Sequence, residues 1–264
     1  MQFVSRLVRC GTLIATIVAS HSWATCVSNG KTLPLPPMVS GPYYGQCLDL
    51  NDKLPVTYLS ATDGVFTVAN FYHDKHFWIA KIKKSSIQSV VFQIVEFPAG
   101  IMRAAHTQFK FVTGPIQLER ETANGKKTYT IVRNFVTSYE YIAPVGIDYE
   151  PVEGTFNYFG IVGRVMSEAT SIADQQGRRI YGPTLQLQPA FVSVLAYAAF
   201  EESRALALTS TYNTVELNCT TEIFKVLDDA LTYRSAVTTF HVGISLDPVV
   251  GPSLQALMER GLIP

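Results

Sequence analysis

Cys219 stands in the stretch Tyr212-Asn213-Thr214-Val215-Glu216-Leu217-Asn218-Cys219-Thr220-Thr221-Glu222, directly before a run of helical periodicity. Ile223, Val226, Leu227, Ala230 and Leu231 recur at three- and four-residue spacing, so a helix is expected to start near the cysteine. Asn218 suits its cap, because the side-chain oxygen can accept from an otherwise orphan first-turn amide. A sulfur in that place feels unpaired amides and the positive end of the helix dipole, which favour the nucleophilic thiolate. The chemistry would be attack on a carbonyl, and it needs a base. His106 offers one, at the head of a strand on which Thr107, Phe109 and Phe111 face one way and His106, Gln108, Lys110 and Val112 the other. A turn at Gly114-Pro115 would lead into a partner strand, Ile116 to Glu121, from which a polar residue could hold the outer ring nitrogen while the inner one faces sulfur. Against this stands the ordinary use of cysteine as a small buried apolar side chain.

The other cysteines depend on the compartment. Arg6 and Arg9 precede an apolar run from Leu13 to Ala19, and Ser22-Trp23-Ala24 places small residues ahead of a cut after Ala24. Residues 1–24 therefore read as a cleaved secretory signal, and the chain as periplasmic or secreted; the run is too short to cross a bilayer. Cleavage removes Cys10 and leaves Cys26, Cys47 and Cys219. Cys26 and Cys47 flank a Pro- and Gly-rich stretch with little core of its own, so a disulfide between them is expected in an oxidising compartment, with Cys219 left free.

The elements that must position these groups are legible in outline. Residues 25–55 read as a poorly structured arm and 56–264 as one α+β domain. Strands are expected at Val65 to Phe71, Phe77 to Ile82, Ile87 to Phe97, His106 to Val112, Ile116 to Glu121 and Thr128 to Val136, with a hairpin turn at Asn124-Gly125. Residues 144–160 read as a loop, Ile161 to Ile172 as strand or helix, and Arg179 to Leu187 as extended. Helices are expected at Ala190 to Leu208, opened by Pro189, and at Ser253 to Arg260, besides the cysteine helix. The first of these is interrupted by Glu201, Glu202 and Arg204, so no transmembrane helix is expected in the mature chain.

Composition excludes some functions. Apolar residues make up 47% and charged residues 16%, which excludes a disordered chain. Without the signal the chain is slightly acidic, and its one dense basic group, Lys81-Ile82-Lys83-Lys84, reads as a solvated strand end, so nucleic acid is not an expected partner. His73 and His76 lie three apart on an extended segment and so point to opposite faces, which argues against a metal site. There is no Gly-rich phosphate loop, serine elbow or Cys-x-x-Cys pair, and no cofactor is expected.

The Ala105-His106-Thr107 strand, the Tyr212-Asn213-Thr214 lead-in, the Asn218-Cys219-Thr220-Thr221 helix start and the closing Glu259-Arg260-Gly261-Leu262 resemble the Lnb N-terminal periplasmic domain family, over roughly residues 85–264. The resemblance implies a permuted papain-like fold, an antiparallel sheet packed against a Cys-bearing helix, with histidine ahead of cysteine as in the lecithin:retinol acyltransferase and NlpC-type groups. It implies a thiol enzyme of acyl-transfer type acting on lipid or lipoprotein acyl groups, as acyltransferase or hydrolase. Cys219 would be the nucleophile, His106 the base and Glu119 its orienting acid, with Gln117 and Glu121 competing for that place. The Cys219 amide and the side chains of Asn218 or Asn213, with Tyr212 beside them, would stabilise an oxyanion. Members with the acyltransferase role carry membrane-spanning helices after this domain, and none is expected in the sequence up to Pro264. The alternatives are a non-catalytic binding or scaffold module and a peptidoglycan amidase or peptidase.

Overall fold

Alternation between apolar and polar residues dominates the first half of the chain and helical spacing the second, and the architecture follows that division. A computed structural model describes residues 25–28, 31–34, 41–44, 46–97, 105–231 and 250–264. The expected signal segment and His241 lie outside the described residues.

In chain order the elements are β1 (Thr25–Ser28), β2 (Lys31–Pro34), β3 (Thr57–Thr62), β4 (Val65–His73), β5 (His76–Lys83), β6 (Ile87–Glu96), β7 (Ala105–Glu121), β8 (Lys127–Ile142), α1 (Pro151–Gly154), β9 (Phe159–Ser167), α2 (Glu168–Asp174), β10 (Ile180–Tyr181), α3 (Pro189–Leu206), β11 (Thr211–Tyr212), α4 (Cys219–Leu231) and α5 (Val250–Glu259). The protein is mixed α+β and rich in strand. Among the described residues β1 and β2 form a separate hairpin, and the other nine strands belong to one sheet. Within it the pairing runs from β7 through β5, β4 and β9 to β8 and back to β7, closing a five-stranded ring. All these pairs are antiparallel except β4 with β9.

The expected turn at Gly114-Pro115 is instead an irregularity inside β7. Between Phe111 and Pro115 the register against β8 shifts, and Asn134 of β8, at φ 54°, donates no strand pairing there but accepts the Thr113 amide on its side-chain oxygen at 3.0 Å. Proline has no amide hydrogen to give, and a bulge is where a strand tolerates it. The strand therefore runs on, and its first half pairs with β6 while its second half pairs with β5. The turn at Asn124-Gly125 is present, with Gly125 at φ 78° joining β7 to β8.

Residues 46–56 are better ordered in the core than an arm: Leu48, Leu50, Leu54 and Val56 are buried, the first three against Ile142 and Val162. The loop expected at 144–160 contains α1 and the start of β9, and the ambiguous segment after it divides into β9 and α2. Ser167 supplies the division, since its hydroxyl accepts the Thr170 amide and caps α2.

The main core lies between the sheet and helices α3 and α4. Phe111 and Phe135 stack at 4.6 Å, Phe200 of α3 packs on Phe135, and Phe224 of α4 packs on Phe92 of β6. α4 buries Ile223, Val226, Leu227 and Ala230, the stripe set by its spacing, against α3, β7 and β8. Arg260 grips Asp228 of α4 through two bonds of 2.7 and 2.8 Å and so ties the chain's last residues to this helix. Among the described residues no helix is long and apolar enough to cross a membrane.

Candidate functional site

The cysteine helix begins where the cap residue places it. Asn218 Oδ1 accepts from the amides of Thr220 and Thr221 at 2.9 and 3.2 Å, while Thr221 Oγ1 accepts the Asn218 amide at 2.8 Å. This reciprocal arrangement is a capping box with threonine at its third position, and it satisfies first-turn donors that water would otherwise have to reach. Cys219 is thereby the first residue of α4, buried at 6% exposure, and it is free of any disulfide. Cys47 is disulfide-bonded; the Cys26 side chain lies outside the described residues.

β7 delivers His106 to the same place. The packing of α4 on β7 sets Thr107 Oγ1 against Thr220 Oγ1 at 3.1 Å and turns the Thr107 amide toward the Cys219 sulfur. His106 faces the sulfur through charge and a hydrogen bond. Burial alone would push the Cys219 thiol up. The His106 charge and hydrogen bond, the Thr107 amide and the Thr220 hydroxyl outweigh it and bring the thiol down to about 7. Burial likewise opposes the imidazolium, but the facing thiolate and Glu140 raise His106 above its ordinary value. Shifts in these directions favour the thiolate at Cys219.

Behind the imidazole lies Ser138 of β8, with Oγ 2.7 Å from His106 Nε2. Ser138 donates to Glu140 Oε1 at 3.0 Å, and Arg164 of β9 donates to both Glu140 oxygens at 3.1 and 2.9 Å. Burial pushes Glu140 up, yet Arg164, Lys53 and His106 hold it down at about 2.

Glu119 is not brought to His106. The unbroken course of β7 carries it to the far end of the strand, where Lys127 at 2.6 Å and Lys81 at 3.5 Å neutralise it. Gln117 and Glu121 share that end of the strand, paired with Ile131 and Lys127 of β8. The signal that would have found the other partner is the Ser138-x-Glu140 spacing, which alternation puts on one face of β8.

The two asparagines are also spoken for. Asn213 accepts the amides of Val215 and Glu216 and donates to Thr155 O and Asn157 Oδ1, so it shapes the loop before the helix. Asn218 spends its amide nitrogen on Thr214 O at 3.0 Å. Neither side chain is turned toward an oxyanion at the sulfur. Tyr212 is differently placed, since its buried hydroxyl meets both the sulfur and the backbone amide of Cys219. Tyr149 lies beside Tyr212, and its hydroxyl is 2.8 Å from Thr214 Oγ1, which donates to Pro151 O. Gly154 allows this close approach of α1, because a Cβ there would collide with Thr214 and Tyr149.

Among the described residues no group of three or more His, Cys, Asp or Glu converges as a metal site. His73 bonds Ser167 Oγ at 2.8 Å and serves the junction of β9 and α2. The chain matches no protein-family model, no curated protein and no solved structure.

Proposed function

We propose that the chain is an exported thiol enzyme of acyl-transfer type with a permuted papain-like arrangement, of the kind seen in the Lnb N-terminal periplasmic domain family. The observation that carries this reading is the free, helix-capped Cys219 whose thiol is drawn down to about 7 by the imidazole of His106. The disulfide at Cys47 supports passage through an oxidising compartment. Val152 of α1 and Phe156 just after it, each 57% exposed, offer apolar surface that suits a substrate with an apolar acyl part.

In this scheme the Cys219 thiolate attacks the carbonyl carbon of an ester or amide, and the carbonyl electron pair moves onto oxygen. The Cys219 amide and the Tyr212 hydroxyl take that oxyanion, a stabilisation of about 3 kcal/mol per donor in acyl-transfer sites. Collapse breaks the bond to the leaving group, which receives its proton from the His106 imidazolium, and an acyl thioester remains on Cys219. The incoming nucleophile, water in a hydrolase or an amine in a transferase, then attacks the thioester carbonyl while His106 takes its proton; the C–S bond breaks, the acyl group leaves on the nucleophile, and the thiolate is restored.

The test is trapping of the thioester. Incubation with phospholipid vesicles or an activated fatty-acyl ester, followed by intact-mass measurement, is expected to add one acyl group to the wild-type chain and none to Cys219→Ala. A chain that never acquires the acyl mass with either donor, while it releases peptides from purified peptidoglycan, would instead be an amidase. A chain inert in both assays would be a binding or scaffold module.

A further inference from the structure

Ser138 has one hydroxyl proton and two claimants, His106 Nε2 at 2.7 Å and a carboxylate oxygen of Glu140 at 3.0 Å. The carboxylate can only accept, because Arg164 grips both its oxygens from the other side and Lys53 lies 3.6 Å away. We propose that Ser138 and Glu140 form a positioning relay in which Glu140 claims the Ser138 proton, so that Ser138 accepts from His106 Nε2–H and Nδ1 is left as the nitrogen facing the sulfur. The inference rests on the thiol-enzyme reading only for its consequence in catalysis.

The relay explains why a hydroxyl, rather than a carboxylate, meets the ring. Ser138 is completely buried, and Arg164 is 4% exposed, so the hydrogen bonds that fix their geometry are shielded from water. The charged groups behind the ring are Glu140, Asp52 and Asp174 against Arg164 and Lys53, which leaves one net negative charge. On the other side of the ring stands Cys219. A carboxylate in direct contact with the ring would draw the proton strongly toward the imidazolium, whereas one hydroxyl of spacing passes on orientation and only part of the charge. Neither Ser138 nor Glu140 touches the reacting sulfur; both act through His106.

The experiment reads the tautomer and the thiol separately. In ¹⁵N-histidine-labelled protein the neutral His106 ring is expected to carry its proton on Nε2, and the iodoacetamide rate of Cys219 is expected to titrate near 7. Ser138→Ala is expected to give a mixture of tautomers and to move the alkylation midpoint up by roughly one pH unit. Glu140→Gln is expected to do the same to a smaller degree, and melting followed by circular dichroism confirms that each variant is folded. His106→Ala is the control, with a midpoint expected above about 8.5, the ordinary thiol value. Wild-type tautomer and midpoint in both Ser138→Ala and Glu140→Gln, with His106→Ala shifted, would overturn the relay. A response to Ser138→Ala alone would remove Glu140 from it and overturn it equally. An unshifted His106→Ala would instead defeat the thiol-enzyme reading, while an Nε2–H ring lost in both Ser138→Ala and Glu140→Gln would still uphold the relay.

Discussion

The sulfur of Cys219 is surrounded by donors of different strength: the His106 imidazole, the Thr107 amide, the Thr220 hydroxyl at 3.8 Å and the Tyr212 hydroxyl. Of these, Tyr212 alone also meets the Cys219 amide, so in the proposed reaction it is the side-chain donor nearest the amide that would hold the oxyanion. Tyr212→Phe keeps the ring and removes only the hydroxyl. It is expected to slow acylation by an activated ester about 10²-fold, as loss of one oxyanion donor does, with little change in substrate affinity. Burst kinetics on wild type and variant decide this; an unchanged burst rate would exclude Tyr212 as donor. The juxtaposition of Cys219 and His106 was legible because a cysteine at the start of a capped helix and a histidine at a strand head are rare types in telling places. Ser138 was not, since a serine within Val136-Thr137-Ser138-Tyr139 looks like any strand residue until its neighbour across the sheet is known. Glu119 drew attention for a geometric reason: a turn at Gly114-Pro115 would have folded it back beside His106.

At the level of elements, α4 depends on its first turn. Asn218→Ala removes the acceptor of the Thr220 and Thr221 amides and is expected to lower stability by about 1 kcal/mol. In a domain of this size that is a fall in melting temperature of roughly 2–4 °C. The same change lets the turn that carries Cys219 fray, so the alkylation midpoint is expected to rise with it. Asn218→Asp retains the accepting oxygens and is expected to recover most of the stability; calorimetry and iodoacetamide titration on the three proteins check both effects. Strands β4, β5 and β6 and helices α3 and α4 could be read to within a few residues because each has a clear period, two or 3.6. The continuity of β7 could not. Gly-Pro is a turn signal by its local chemistry, and only Asn134 on the facing strand, which takes the Thr113 amide, makes it a bulge. β3 was missed for a related reason: Thr57–Thr62 is mostly exposed on the sheet's flank and lacks an apolar face.

For the molecule as a whole, two carboxyls, half-buried Glu140 and buried Glu222, pull the pH dependence of stability in opposite directions. Glu140 sits below its ordinary value, so its contribution is complete above about 4.5 and is lost as pH falls toward 2. Glu222, one turn beyond Cys219 on α4, is 2% exposed and has one carboxyl oxygen without a hydrogen-bond partner. Burial raises it to about 7; Lys225 opposes this, while Glu202 of α3, which shares its proton, and Asp229 reinforce it. Lys225 is already held by Glu202 at 2.6 Å, and Tyr139 of β8, the remaining ionisable neighbour, is itself kept neutral by burial. The folded state therefore binds a proton at Glu222 that the unfolded chain has released above about 4.5. The contribution of Glu222 to stability is expected to fall as pH rises from about 4.5 to 7, by on the order of 1–3 kcal/mol, and to change no further above that. Glu140 contributes no slope in that interval. Glu222→Gln holds a neutral, hydrogen-bonding group in the same volume, so it is expected to flatten the profile and to be more stable than wild type at pH 8. Urea unfolding at pH 5, 6, 7 and 8 measures this directly. A wild-type profile as flat as that of the variant would mean that Glu222 is ionised in the fold at neutral pH, and that α3 and α4 meet over a fully charged pair of carboxylates.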